Sequence, residues 1–409
     1  LGTPVDLSKI TCDAYVIGGI ADHISPWQAT YRSAKLLGSK DNRYVLSTSG
    51  HIAALVNPPG NPKASYRIAQ VTDGTPEEWL TEAEKSSDSW WPDYVAWLAE
   101  RSWSRPTWTV AELEAAKAGR TVSVVLPALN EEETVADVID SISPLLGGLV
   151  DELVVLDSGS TDETELRAIE AGARVVSREQ ALPEVPVQPG KGEALWKSLF
   201  VTRSEILVFL DGDLTDWGTH FVTGLVGPLL ARPELALVRG FYDRISTGSA
   251  PTSGGGRVTE IFARPWLALH RPELAGVVQP LAGEWSIRRR AFEQLSIPRG
   301  YGVELSTLLD VHSEHGLEAL GQVDLGRRGH RSQDLADLGV MAAELMVVAE
   351  RRSSTQQADH ARANVPGGPR LAHRRADGRW TEAEVSTAER PPASAIADYP
   401  SVGFAAIAG

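Results

Sequence analysis

Two aspartates one residue apart, Asp211 and Asp213, follow the apolar run Ile206 to Leu210. Read as a strand, that run carries both carboxylates out at the rim of a sheet, and the single spacer, Gly212, points them at a common ligand. Hard carboxylate oxygens so placed suit a divalent cation bridging diphosphate oxygens. Acidic pairs also occupy ordinary turns, so the triplet needs partners. His330, in GRRGHRS, is a second metal-ligand candidate from a distant part of the chain; a lone histidine can equally be structural. With Arg328 and Arg331 it forms a basic island in an acidic chain, fit for a phosphorylated substrate. Its imidazole would tilt a Mg2+ or Mn2+ site toward Mn2+.

Lys191 lies between glycines in PGKGEALW, at a predicted helix start, where free backbone N–H groups and a cation can face an anion together. The alternative is a capping turn with a solvated lysine. The run Ser253 to Glu260, SGGGRVTE, again sets glycines and a cation, Arg257, before a helix. It permits close backbone approach to a phosphate or carboxylate, or it makes a flexible loop. Neither string is the strand-linked GxGxxG fingerprint or a Walker loop. Glu304, in GYGVELS, and Glu284, in AGEWS, could orient an acceptor hydroxyl or serve as charges at a helix start.

These residues need elements to bring them together. From Thr121 a β-branched run, TVSVVLPA, meets a helix that Asn130 can cap, with Glu131, Glu132 and Glu133 in its first turn. ELVVLD precedes a helix with Ser160 or Thr161 as cap, and EILVFLDGD follows the Lys191 helix. This alternation predicts an α/β fold: a mostly parallel, Rossmann-like sheet with helices on both faces and ligands at the carboxyl ends of its strands. Residues 1–105 show a shorter alternation: a strand at Ala14 to Gly19, a helix at Trp27 to Leu37 and a strand at Arg43 to Leu46. Tryptophans follow, Trp79, Trp90, Trp91, Trp97, Trp103 and Trp108, around a helix near Tyr94 to Ala99 that reads as packed core. Residues 106–119 read as a linker helix and 351–409 as a mostly disordered tail except near Tyr399. The chain opens with Leu1 on strand-like sequence, as though a domain is entered partway.

A length of 409 residues implies two or three domains, and 42% hydrophobic with 23% charged residues excludes disorder of the whole chain. A net charge of −15 excludes a general nucleic-acid or anionic-membrane binder, since both need a basic face. No run of about 18 apolar residues suggests a membrane span. The single cysteine, Cys12, excludes a disulfide framework or cysteine zinc cage and fits a reducing cytosol, so a cytoplasmic protein is expected.

In order, PALNEE, LDSGSTD, PGKGEALW, DGD, GGGRVTE, GYGVE and GHR resemble the actinobacterial glucosyl-3-phosphoglycerate synthases across residues 120–350. The resemblance implies a GT-A fold and a metal-dependent, retaining hexosyl transfer from UDP-glucose to D-3-phosphoglycerate, in a homodimer. It places Pro127, Ala128, Leu129, Glu131 and Ser158 at the uridine and Lys191 at the diphosphate side. Asp211 and Gly212 fall at the ribose and donor, Asp213 and His330 at a divalent cation, Mg2+ or Mn2+. Gly256, Arg257, Thr259 and Arg328 would cradle the phosphoglycerate, and Glu304 would meet the transferred sugar or acceptor hydroxyl. Glu304, Asp213 and Lys191 are thereby the catalytic candidates. Family members often carry a small polar residue or alanine where Gly212 stands. Ser332 stands where an asparagine is implied, which leaves one acceptor hydrogen bond open.

Residues 1–105 resemble the carboxyl-terminal part of polyhydroxyalkanoate synthases, α/β-hydrolase-like acyltransferases, through GGIADHISPW and SGHIAALVNPP. That match makes Asp22 and His51 the acid and base of a Cys-His-Asp triad. The nucleophile is missing, because Cys12 in KITCDAY has no strand-to-helix elbow, so a vestigial triad without polymerase activity is expected. Two further readings compete: a related transferase with another donor or acceptor, such as GDP-mannose or a lipid phosphate, and a non-catalytic fusion whose synthase remnant docks to polyester granules or a missing synthase half.

Overall fold

The computed structural model describes residues 6–61, 63–101, 108–214, 218–246, 256–330, 335–353, 369–374, 379–397 and 399. Trp103, Ser253, Arg331, Ser332 and the His330 side chain, all named above, lie outside that description. The chain forms two compact units, Leu1–Ser102 and Trp103–Gly409.

Unit 1 holds β1 (Ala14–Gly19), α1 (Trp27–Ala34), β2 (Asn42–Ser47), α2 (His51–Val56), β3 (Ser65–Gln70), α3 (Pro76–Glu82), β4 (Glu84–Ser87) and α4 (Trp91–Arg101). Its sheet runs β1-β2-β3-β4, with β1 and β2 parallel and the rest antiparallel. An aromatic core replaces the aliphatic one a larger sheet would supply. The Trp79 ring stands edge-on to Tyr44 at 5.0 Å and lies 5.5 Å from Tyr31, while its indole N–H donates to the Gln70 carbonyl at 3.1 Å. On the other face Tyr15 meets Tyr94 and Trp97 of α4. Of the tryptophans in this unit Trp79, Trp90 and Trp97 are buried, as the spacing suggests, while Trp91 is left exposed.

Unit 2 starts with α5 (Val110–Lys117), β5 (Val122–Ala128), α6 (Val135–Ile142), β6 (Glu152–Asp157), α7 (Thr164–Glu170), β7 (Arg174–Ser177), α8 (Arg178–Ala181) and α9 (Lys191–Val201). Next come β8 (Ile206–Phe209), α10 (His220–Ala231), β9 (Leu237–Ser246), α11 (Arg264–His270), β10 (Trp285–Arg288), α12 (Arg289–Phe292) and β11 (Ile297–Pro298). It ends with α13 (Val303–His315), β12 (Leu320–His330), α14 (Leu335–Ser353), β13 (Arg370–Arg374), β14 (Trp380–Glu384) and β15 (Glu389–Arg390). Seven strands pair in the order β12-β9-β10-β8-β5-β6-β7, and β10 alone of them runs antiparallel to its neighbours.

Central strands buried on both sides explain the unbroken apolar runs. Val124, Ile206 and Val208 face one core with α6 and α10, while Val125, Leu207 and Phe209 face a second core with α9, α13 and α14. Period-two alternation divides one run between two cores.

Three expectations change. Asn130 caps no helix: it takes a left-handed backbone, φ +59°, and α6 starts at Val135 after Thr134. Ser160 and Thr161 likewise bond across to the neighbouring loop, Ser160 Oγ accepting from the Asn130 N–H at 3.0 Å and the Thr161 N–H donating to Asn130 Oδ1 at 2.9 Å. A polar side chain that stitches two loops is unavailable as a cap. Third, parts of the tail beyond residue 351 are ordered against unit 2. β15 pairs antiparallel with β11, the Trp196 indole donates to the Pro391 carbonyl at 2.8 Å, and Arg289 donates to the Tyr399 hydroxyl at 3.2 Å. The helix within 106–119 forms as α5, closed by a Thr109–Glu112 capping box, and it buries Leu113 in the first core.

Truncating Trp79, 1% exposed, to alanine should cost unit 1 about 3–5 kcal/mol. Hydrogen exchange at β2 and β3 reads this directly; protection equal to the parent chain's would show that the aromatic core does not depend on that ring.

Candidate active site

At the carboxyl ends of β5, β6 and β8 a cavity of about 420 Å³ opens, a size that suits a small polar ligand. One wall is Pro127 and Ala128 at the end of β5 with Leu129 and Glu131 after it, and Ser158 after β6. Backbone N–H groups of Glu131 and Glu132 donate to Thr164 Oγ1 at 2.7 Å and Asp162 Oδ2 at 3.2 Å, so two loops hold this wall as one piece. Asp211, Gly212 and Asp213 form the floor. Thr134 Oγ1 donates to the Gly212 carbonyl at 2.7 Å and fixes the turn that separates the two aspartates.

Lys191 opens α9, donates from Nζ to Asp211 Oδ1 at 2.5 Å and forms an ion pair with Glu304 Oε1 at 2.8 Å. Burial by itself would lower its pKa, but Asp211 and Glu304 outweigh it and hold the ammonium above the ordinary lysine range. The flanking glycines have a steric reason. A Cβ on Gly192 would fall 1.8 Å from the Pro298 carbonyl oxygen, and one on Gly190, at φ +117°, 2.3 Å from that of Arg299. Backbone at 298–300 thus crosses α9 where only glycine leaves room.

Arg328, 4% exposed, clasps the other side. Nη2 donates to Asp211 Oδ2 at 3.0 Å and Asp213 Oδ1 at 3.1 Å, Nη1 donates to the Tyr242 hydroxyl at 2.8 Å, and Nε lies 3.4 Å from Glu284 Oε1. Burial opposes this charge, yet Glu284 and the aspartates raise the guanidinium's pKa well above its usual value. A bulge aims it. The β12–β9 register slips between Asp324 and Arg327, where Gly326 takes φ +79°, so Arg328 turns toward Tyr242 on the face of Leu325.

Gly256, Arg257 and Thr259 line the opposite wall with Tyr301 and Glu304, and α14 contributes Leu338, Met341 and Leu345. Residues scattered from Pro127 to Arg328 therefore share one cavity. Two of the candidates pair with other charged groups of the cluster. Arg328 lines the cavity and directs its guanidinium at the aspartates. Glu284 is fully buried behind Arg328, where burial raises its carboxyl pKa against Arg328's pull, and it does not line the cavity.

Sequence reading passes over Arg178, Gly283, Tyr301 and the α14 residues. Arg178 binds the Ser158 carbonyl and, at 2.9 Å, that of Gln188, joining two walls. Gly283 leaves room for Asp211, whose Oδ2 would stand 2.2 Å from an added Cβ. Gly283 and Tyr301 were legible as neighbours of Glu284 and Glu304; an amphipathic helix such as α14 carries no local mark of the cavity it walls.

Four carboxylates, Asp211, Asp213, Glu284 and Glu304, surround the two cations Lys191 and Arg328. Of these, Asp213, about a third exposed, is the carboxylate accessible to a hard divalent cation. His330 ends β12, two residues after Arg328. Among the described residues no set of three histidines, cysteines or acids gathers as a complete metal cage.

Unit 1 keeps a second constellation. His51 at the start of α2 meets Asp22 after β1, Nδ1 to Oδ2 at 2.7 Å. N–H donation from Ser25, then His51 and the Ile24 N–H, hold the Asp22 carboxyl down at about 2. Cys12 is exposed and precedes β1, at the far end of a six-residue strand that spans roughly 20 Å. The dyad is assembled, and the lone thiol sits at the other end of the sheet.

Comparison with known proteins gives two kinds of relative. Residues 123–295 match glycosyl transferase family 2. The glucosyl-3-phosphoglycerate synthase of Mycolicibacterium paratuberculosis is 54% identical over 312 residues, 73% of this chain and 92% of that protein. A crystal structure of the Mycobacterium tuberculosis glucosyl-3-phosphoglycerate synthase in complex with Mn2+, UDP-glucose and phosphoglyceric acid is similar at 52% identity. Its TM-score is 0.65, over 72% of this chain and 97% of that one. Toward the amino terminus, poly(3-hydroxyalkanoate) polymerase 2 of Ectopseudomonas oleovorans is 50% identical over 101 residues, which is 25% of this chain and 18% of the polymerase.

An aspartate carboxyl held at about 2, against 3.8 ordinarily, adds stability that is complete above pH 3.8 and is lost as pH falls through 2. Carbon-detected NMR should show Asp22 titrating near 2; a midpoint near 4 would mean that the contacts Asp22 receives from Ser25, His51 and Ile24 do not form in solution.

Proposed function

The chain belongs to the glucosyl-3-phosphoglycerate synthase family, and on that premise we propose that the cavity of unit 2 transfers glucose from UDP-glucose to D-3-phosphoglycerate with retention. The observation that carries this reading is the ion cluster at the end of β8, where Lys191, Asp211, Asp213, Glu304 and Arg328 meet beside two separate walls.

In this reading Pro127, Ala128, Leu129, Glu131 and Ser158 hold the uridine, and Asp211 with Gly212 the ribose side. Lys191 stays charged throughout the working pH range and stabilises negative charge growing on the departing diphosphate. Asp213 and His330 would hold a divalent cation, which when bound supplies further neutralisation of the diphosphate. Gly256, Arg257 and Thr259 bind the phosphoglycerate and set its hydroxyl near the anomeric carbon, replacing a bimolecular encounter with a fixed approach. Glu304, anchored by Lys191, faces the sugar or the incoming hydroxyl. Among the described residues the acidic groups nearest the sugar, Asp211 and Glu304, are paired with Lys191 rather than free for covalent attack, and this reading assigns retention to attack on the face that UDP leaves.

The same reading carries a homodimer. It also places the reaction in the cytoplasm, supported by a single, unpaired cysteine. Among the described residues no helix is long and apolar enough to cross a membrane. No acyl transfer is assigned to unit 1, where Asp22 and His51 have Cys12 only at the opposite end of β1.

UDP release from UDP-glucose should depend on D-3-phosphoglycerate and on Mg2+ or Mn2+. Asp213→Ala and Lys191→Ala should each lower kcat by about 100-fold or more, with His330→Ala failing at low metal concentration first. Release that ignores the acceptor would replace this reading with simple nucleotide-sugar hydrolysis.

A further inference from the structure

The donor side of the cavity includes Pro189, Gly190 and Lys191, and all three depend on how the start of α9 is held. Glu193, two residues after Lys191, has no exposed surface. A carboxylate so buried demands a partner, and its partner lies 197 residues further on. Arg390 Nε donates to Glu193 Oε2 at 2.6 Å and Nη2 to Oε1 at 2.7 Å, a two-point match of planar groups. The guanidinium lies over the Trp196 ring, 5.2 Å from its centroid, and Nη2 also donates to the Pro186 carbonyl at 2.6 Å.

Both ends of the segment before Lys191 are thereby tied. Arg390 holds Pro186, and the Gln188 N–H donates to Glu193 Oε1 at 3.3 Å. Behind it, Glu193 N donates to the Arg299 carbonyl at 3.0 Å and Gly192 N to that of Gly300 at 3.2 Å. That same stretch pairs with the tail, since β11 is hydrogen-bonded to β15, in which Arg390 lies opposite Ile297. Arg390 does not line the cavity, so any effect it has on the ligand passes through these neighbours.

We propose that Arg390 is a positioning residue for Lys191: the carboxyl-terminal strand β15 clamps Glu193 and the 186–191 segment, and so sets the ammonium that meets the donor diphosphate. This rests on the donor reading given above, and it makes the pocket depend on the end of the domain.

UDP binding to the full chain in Mn2+, followed by isothermal titration calorimetry, tests it with Lys191→Ala, Arg390→Met, the double variant and Arg390→Lys. Arg390→Met and Lys191→Ala should each weaken UDP by about tenfold or more, since small misplacements of a charged group carry large costs. The double variant should lie within about twofold of Lys191→Ala, because two changes that act through one group do not add. Arg390→Lys, a point charge without the planar fork, should fall between the parent and Arg390→Met. Parent-like affinity in Arg390→Met, or losses that multiply in the double variant, would overturn the proposal by showing loosening independent of Lys191. If Arg390→Met does not fold, Arg390→Lys with Lys191→Ala carries the same cycle, and parent-like binding there is equally fatal. Parent-like binding by Lys191→Ala itself, or no UDP binding by the parent chain, would instead remove the donor reading on which the proposal stands.

Discussion

Arg328 is a nearly buried guanidinium placed among Asp211, Asp213 and Glu284, and the cavity depends on that placement. Like charges gathered at one strand end repel, and burial makes the repulsion stronger. Arg328 from one side and Lys191 from the other divide the oxygens of Asp211 between them, Oδ2 and Oδ1. Neither cation could be lost without leaving an uncompensated buried carboxylate, whose cost runs to about 3–5 kcal/mol. The sheet must therefore deliver β8, β12 and α9 to one point, and several local irregularities serve that end.

Three of those irregularities concern backbone rather than side chains. The β12 bulge at Asp324 to Arg327 redirects Arg328, Gly283 makes space for Asp211, and Gly190 with Gly192 lets the 298–300 backbone cross α9. Each removes a side chain or adds a residue where regular structure would put the wrong atom. The left-handed turn at Asn130 does the same on the other wall of the cavity, fastening the loop after β5 to the loop after β6.

Unit 1 shows what a partial match can carry. An aromatic cluster around Trp79 gives a four-stranded sheet a core of its own, and the Asp22–His51 pair is formed without the cysteine that would give it acyl chemistry. Each member of the pair is fixed locally: Asp22 by its own turn, through Ser25 and Ile24, and His51 by the start of α2. The matched stretch is 18% of the length of the similar polymerase.

The sequence by itself determined the alternation of strands and helices, the double burial of β5 and β8, the rim position of Asp211 and Asp213, and Lys191 at a helix start. Those properties follow from period, apolar composition and glycine placement within a dozen residues, and the ordered motifs added the family. Only the tertiary structure decided that Arg328 pairs with the aspartates at the cavity, that Glu284 lies behind it, and that Asn130, Ser160 and Thr161 join loops instead of capping helices. It also decided that residues near Arg390, polar and aperiodic in sequence, pack on α9. Each of those outcomes turns on a partner tens to hundreds of residues away, and electrostatic pairing across such distances leaves no periodic trace in the chain, because it is the fold that chooses which charges meet.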